Sequence, residues 1–462
     1  MTRGRLVIAG AGLAGLRAAQ AARAAGHEGE IVLAGDEPHP PYTRPPLSKE
    51  LLKGEQTAAD CAFPGLDALE AELRLDTPIT AVDTGEHTVT LADGTALGYE
   101  RLILATGARA RELPVPGADA ALTLRSLDDA ERLGHALEGV RRLAIIGAGF
   151  IGCEVAASAR HRGIDVALVD LAPQPLLPLG PELGARVADL HRAHGVALHL
   201  GASIERVEAG KVAREDAGKV AREDAGKVCP PQPDKSSPPS AAAAAGQLRS
   251  DGTAAAAGQL RSDGTAAVAV LLSDGTRIAA DLVLIAVGAA PNTDFLRDSG
   301  IELTADGGVV CDATLTSVSD PDVLAAGDVA CWPLGGGGPI SGERVRVEHW
   351  TTAAEHGRLA GQNAVREPAE RVAHVAPPYF WSDQYDVKIQ SVGFPSRADR
   401  IEIVEEGAGG DGVVRLVAEA RTADGELIGA VAFNHARRLA EYRRRLATAT
   451  TTATPAPGAA TA

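Results

Sequence analysis

The chain opens on an apolar run broken by glycine, LVIAGAGLAGLRAAQAA, and the same cadence returns along its length: a short apolar stretch ending in Gly or an acid, then an Ala-rich stretch with helical spacing. RLVIAG, EIVLAG, RLILATG, LAIIGAG, VALVD and DLVLIAVG predict short strands of this kind. Apolar strands that alternate with helices are buried on both faces. The pattern therefore predicts an α/β fold with parallel, doubly wound sheets covered by helices. From about residue 375 the cadence changes. IEIVEE, VVRLVAEA and LIGAVAFN read as antiparallel strands with DG turns, followed by a short helix in ARRLAEYRRRL, which predicts a separate α+β domain.

Two stretches break the pattern. Residues 209–228 repeat AGKVARED, and 242–265 are two copies of AAAAGQLRSDGT, joined by the Pro- and Ser-rich CPPQPDKSSPPS. Such short copies lack the apolar stripe of a solenoid repeat, so 209–266 reads as a disordered surface insert. The C-terminal ATATTTATPAPGAATA reads as a disordered tail.

Composition narrows the function classes. With 45 Lys and Arg against 61 Asp and Glu, the formal charge of -16 argues against nucleic acid or an anionic membrane as partner. The cores must be built of Ala, Val, Leu and Ile, because there are only 6 Phe, 5 Tyr and 3 Trp. The five cysteines, at 61, 153, 229, 311 and 331, include no CxxC pair, which argues against a redox dithiol, a cysteine metal site or a disulfide framework. No apolar run reaches the roughly 18 residues of a membrane helix, and a cytoplasmic protein without metal is expected.

The chemistry begins at the glycines. Gly10, Gly12 and Gly15 stand between a predicted strand and helix, where they permit a tight turn and bring backbone N–H groups and a helix N-terminus up to a pyrophosphate. The next strand ends in Asp36 and Glu37, acids placed to accept hydrogen bonds from a ribose. A second fingerprint follows with Gly147, Gly149 and Gly152, and its acid is Asp170. Asp170 would bond a ribose 2′-hydroxyl and repel a 2′-phosphate, and LAPQPLLPLG after it offers no Arg or Lys, so NADH is favoured over NADPH. Spacing alone assigns neither Thr106 and Gly107 in LATG nor Asp328 in AAGDVA.

In family order, the chain carries PYTRPPLSKELL at 41–52, LATGARARELPVPG, TLRSLDDA, GAGFIGCE, AVGAAPNTDFL, AAGDVA, RVEHWTTAAEHG and PYFWSDQYDVKIQSVG. In these it resembles the FAD- and NADH-dependent ferredoxin reductases, which include the rubredoxin and putidaredoxin reductases. Disulfide-reductase cousins carry a cysteine segment in place of PYTRPPLSK. The resemblance implies FAD contacts at Ala14, Asp36, Lys49, Val82, Arg125, Asp328 and Trp350, with Arg44 near the adenosine half and Thr106 and Gly107 nearby. It extends the nucleotide-binding set to Leu13, Ala105, Phe150, Ile151, Gly288, Gly327 and His349, beside the motif residues. It also implies that Lys49 pairs with Glu154 near the reactive flavin nitrogen, and that Glu348 and Trp350 lie along nicotinamide and flavin. Lys49, Glu154 and Trp350 form the implied catalytic set. Trp381 would stand between flavin and a docked iron-sulfur partner, with Arg358 helping to dock it. Phe380 and Tyr385 are expected to core the third domain instead.

The resulting expectation is two Rossmann-like nucleotide-binding domains and a C-terminal α+β interface domain. FAD binding is expected in 1–110 and 291–370, NADH binding in 111–290, the interface domain in 371–446 and the tail in 447–462. The implied reaction passes a hydride from NADH to FAD and then single electrons to a ferredoxin-like protein, such as a rubredoxin, that serves an oxygenase. An NADH oxidase of the same fold and a flavin-based NADH sensor are the alternatives, and either a monomer or a homodimer is compatible. The glycine run Gly335 to Gly338 has no assigned purpose.

Overall fold

A computed structural model describes residues 4–212, 266–335, 339–408 and 413–451. Two five-stranded parallel sheets dominate it. In the first, the order is Val323–Ala325, Arg101–Leu104, Leu6–Ala9, Ile31–Ala34, Glu72–Arg74. In the second it is Ala197–Leu200, Asp165–Asp170, Arg142–Ile146, Leu282–Ile285, Leu122–Thr123. Each sheet places the strand before a glycine fingerprint at its centre. The following helices, Leu13–Ala24 and Phe150–His161, therefore start above the carboxyl ends of the strands, where open α/β sheets bind ligands.

The chain crosses between these units twice, and the crossings run side by side as an antiparallel pair, Ala108–Ala110 with Ala289–Pro291. The apolar cadence did not announce a three-stranded antiparallel sheet of Ile79–Asp83, Thr88–Leu91 and Ala96–Gly98. The C-terminal unit is a five-stranded antiparallel sheet in the order Tyr379–Gln384, Val387–Gly393, Leu427–Phe433, Val414–Arg421, Arg400–Ala408, with helix Ala436–Thr451. One apolar core joins the units, running from Leu143, Ile145 and Val155 of the second sheet region to Leu47 and Leu52, and to Ile389, Leu416 and Phe433.

Both low-complexity boundaries are corrected. Strands Ile204–Val212 and Ala266–Leu272 pair antiparallel, with Val212 opposite Ala266, so 209–212 and 266 are strand and not insert. A ladder partner satisfies the backbone of those residues whatever their composition. The rest of the repeat segment lies outside the described residues. The C-terminal helix likewise takes in 447–451, because a helix already nucleated adds residues cheaply. The remaining part of the expected tail is outside the described residues.

The helix Trp350–Ala364 lies on helix Leu13–Ala24 so closely that two positions leave no room for a side chain. A Cβ at Gly357 would come within 2.2 Å of the Ala14 carbonyl oxygen, and one at Gly361 within 2.1 Å of that of Ala18. This contact sets the start of the later helix, Trp350, beside the first fingerprint.

Candidate active site

The two fingerprints adopt one geometry. Gly10 has φ +115°, and a Cβ there would meet the Ala105 carbonyl oxygen at 2.2 Å; Gly147 has φ +107° and the same relation to Ala286 at 2.3 Å. Gly15 and Gly152 are pressed onto the carbonyl oxygens of Gly10 and Gly147. The middle glycines, Gly12 and Gly149, are open, with no protein atom within 4 Å of a Cβ. Both turns thus leave their helix N-termini uncovered, as a pyrophosphate requires.

A cleft of about 610 Å³ opens at the first of them, within the roughly 300–1,000 Å³ of cofactor sites. Gly10, Gly12, Leu13, Ala14, Asp36, Glu37, Arg44, Lys49, Ala105, Thr106, Gly107, Arg125, Gly327, Asp328, Glu348, His349 and Trp350 line it. Phe150, Ile151 and Glu154 enter from the second nucleotide-binding unit, and Phe380 and Trp381 from the C-terminal sheet. Val82 does not line it; its side chain is buried in the core with Val89 and Leu97. Gly15, Gly147, Gly149, Gly152, Asp170 and Gly288 lie outside the lining, and Arg358 is exposed on its helix.

Lys49 is buried on the cleft wall, its Nζ 2.8 Å from Glu154 Oε2. Ser48 Oγ donates to the same oxygen at 2.5 Å, and Ser382 Oγ donates to Glu154 Oε1 at 2.7 Å. One carboxylate is therefore gripped by donors from the PPLSK segment and from the C-terminal sheet while it rides on a helix of the second sheet. Burying such a pair is tolerable only when its remaining hydrogen bonds are made, and here they are.

The other charged residues form a second set. Glu37 takes a hydrogen bond from Tyr42 OH at 2.5 Å and an ion pair from Arg44, whereas Asp36 is exposed. Burial pushes the Tyr42 phenol far up, so Tyr42 acts as a donor. Arg44 also reaches the carbonyl of Arg125 at 2.7 Å, and Arg125 pairs with Asp328 at 2.5 Å. The Thr106 hydroxyl is committed to the Asn292 carbonyl at 2.7 Å. Burial lowers the His349 pKa to about 4, leaving the ring neutral, and its Nδ1 has no protein partner. An uncovered fingerprint turn, an exposed strand-end acid and this unpartnered nitrogen on one cleft fit FAD.

Aromatic rings close the cleft. Trp350 and Trp381 meet edge to face, 5.9 Å between centroids, and Trp350 Nε1 donates to Thr43 Oγ1 at 3.2 Å. Phe380 packs at 4.5 Å on Phe150 and at 4.8 Å on His349, which corrects its expected place in the third domain's core. Tyr385 is corrected too: it stacks on His194 at 3.6 Å across the domain boundary. The cleft lining contains no cysteine. Sequence reasoning missed Ser48, Tyr42, Asn292, Ser382 and Phe380 as cleft or support residues. Only the alternation of the 379–384 strand, which puts Phe380, Ser382 and Gln384 on one face, could have signalled the last two.

At the second fingerprint, Asp170 accepts the Ala148 N–H at 2.5 Å and the Ala172 N–H at 2.7 Å. The acid thus fixes the glycine turn and the start of the loop after its strand.

The pyridine nucleotide-disulphide oxidoreductase profile matches residues 4–228 and 248–357, and a reductase C-terminal profile matches 379–460. The chain belongs to the pyridine nucleotide-disulphide oxidoreductase family. Within it, the chain is 32% identical over 449 residues to the ferredoxin–NAD(+) reductase component of the biphenyl dioxygenase system of Paraburkholderia xenovorans, covering 96% of this chain and 93% of that one. It is 33% identical to putidaredoxin reductase of Pseudomonas putida, covering 86% and 82%. The fold matches the reductase in a crystal structure of the covalent putidaredoxin reductase–putidaredoxin complex with a TM-score of 0.77 and 28% identity, covering 97% and 94%. Among the described residues, no helix is long and apolar enough to cross a membrane.

Proposed function

We propose that this chain is the ferredoxin reductase of an oxygenase system, taking electrons from NADH and delivering them singly to a ferredoxin-like iron-sulfur protein. The observation that carries the reading is the cleft itself: a fingerprint turn, a buried Lys49–Glu154 pair and two tryptophans, with no cysteine among its lining residues. The chemistry FAD supplies when bound is acceptance of a hydride and release of electrons one at a time. The residues do the rest by position and field. The first fingerprint would hold the pyrophosphate and Asp36 the adenosine ribose, while Arg125 and Asp328 fix the polar wall. The Lys49 ammonium, held rigidly by Glu154, favours negative charge arising in the cleft without moving a proton. Phe150 and Ile151 offer an apolar face for nicotinamide, and Asp170 selects NADH.

The partner docks near Trp381 and Arg358. Arg358 is exposed on the helix that begins at Trp350, and Trp350 touches Trp381. The protein works in the cytoplasm, where unpaired cysteines stay reduced. The deciding measurement is steady-state turnover with NADH and an added ferredoxin. Rapid ferredoxin reduction with little oxygen consumption is expected; rapid oxygen consumption that ignores ferredoxin would identify an oxidase instead.

A further inference from the structure

Beyond the Glu154 carboxylate a line of buried polar groups runs away from the cleft. Ser382 Oγ gives its proton to Glu154 Oε1 at 2.7 Å, and Gln384 Nε2 donates to Ser382 Oγ at 3.2 Å. Gln384 Oε1 lies 3.2 Å from His191 Nε2, and Tyr385 OH lies 2.9 Å from His191 Nδ1. The amide oxygen can only accept, so Nε2 carries the hydrogen and Nδ1 accepts from the tyrosine. Every bond then points the same way, from Tyr385 through His191, Gln384 and Ser382 to Glu154. Ser382, Gln384 and His191 are fully buried.

The outer end of this chain is held under strain. Tyr385 begins the two-residue turn between strands Tyr379–Gln384 and Val387–Gly393, with φ +56°, a conformation that a bulky side chain rarely takes. It is kept there by stacking on His194 and bonding to His191, both contributed by the second nucleotide-binding unit. Strain of this kind persists where the surroundings over-determine it.

We infer that Ser382, Gln384 and His191 are positioning residues for Glu154, forming a one-way hydrogen-bond chain through which the docking of the NADH domain on the interface domain fixes the Lys49–Glu154 pair. The donors place the positive ends of successive dipoles toward the cleft, and such aligned bonds reinforce one another. This rests on the reading that the Lys49–Glu154 pair faces FAD.

The test compares Ser382→Ala with Ser382→Thr, which keeps the hydroxyl, in the FAD-loaded protein. Ser382→Ala should slow NADH-driven flavin bleaching in stopped flow by about tenfold, the effect of one lost hydrogen bond to a charged group. It should also lower the flavin midpoint potential by about 30 mV, the two-electron equivalent of tenfold. Ser382→Thr should restore both. With Glu154→Ala already present, Ser382→Ala should change neither further. A wild-type rate and potential in Ser382→Ala, or an equal loss in both backgrounds, would overturn the chain. If Lys49→Ala and Glu154→Ala themselves leave rate and potential untouched, the reading of the pair fails and the chain fails with it. If they respond while Ser382→Ala is silent, the chain alone fails.

Discussion

Lys49 Nζ stands 2.8 Å from Glu154 Oε2, each side chain only 6% exposed, and the two residues belong to different nucleotide-binding units. Lys49→Ala should therefore have two effects. It removes a fixed positive charge from the cleft, and flavin reduction by NADH should slow by roughly a hundredfold while FAD stays bound. It also leaves a buried carboxylate without its cation, which costs about 3–5 kcal/mol of stability. Stopped-flow reduction and urea unfolding of the same variant check both, and an unchanged reduction rate removes Lys49 from the mechanism.

Asp170 holds the Ala148 and Ala172 amides with its carboxylate, and in the proposed reading it also receives the NADH ribose. Asp170→Ala should cut the ratio of kcat/KM for NADH over NADPH by roughly tenfold or more, the effect of one hydrogen bond to a charged group. Asp170→Arg should cut it further. A wild type that prefers NADPH would contradict this account of the second fingerprint.

Acid should loosen the domain contact at His191. Burial lowers its pKa to about 4 from an ordinary 6.5, so the unfolded chain binds a proton there that the folded one does not. Between about pH 6.5 and 4 the contribution is lost as pH falls, by up to about 1.4 kcal/mol per unit. Urea midpoints measured across that window should fall on acidification, and His191→Asn should flatten the slope.

The paired strands Ile204–Val212 and Ala266–Leu272 bring Val212 and Ala266 face to face. Replacing 213–265 by a tight turn should leave NADH-to-ferricyanide activity within about twofold of wild type, because loop length changes closure entropy only slowly. A folded but inactive deletion would give the segment a role in catalysis.

How much of this could be read beforehand depended on the range of the interaction. The glycine fingerprints and their strand-end acids are local patterns, and both turns were legible from spacing. So were the inner strands of the two parallel sheets, because burial on both faces makes them uniformly apolar, whereas the edge strands Glu72–Arg74, Ala197–Leu200 and Leu122–Thr123, only partly buried, gave no such signal. Ser382 was not legible as a partner of Glu154, which lies 228 residues earlier, and nothing near Gln384 marks its contact with His191, 193 residues away. Phe380 shows the same limit: its ring was expected in the third domain's core, and only the fold places it against Phe150 and His349 in the cleft. Arg358 was legible as an exposed helical residue, but its surroundings were not.

The seam between helices Leu13–Ala24 and Trp350–Ala364 bears on how partner choice could change. Gly357 and Gly361 key one helix backbone onto the other, and Trp350 at the start of that helix is further held by Thr43 and Trp381. Arg358, next in sequence to one of those glycines, points outward and takes no part in that fit. The outer face can thus change in sequence without disturbing that seam, and if the partner docks there as proposed, partner choice and cofactor cleft are separable by substitution.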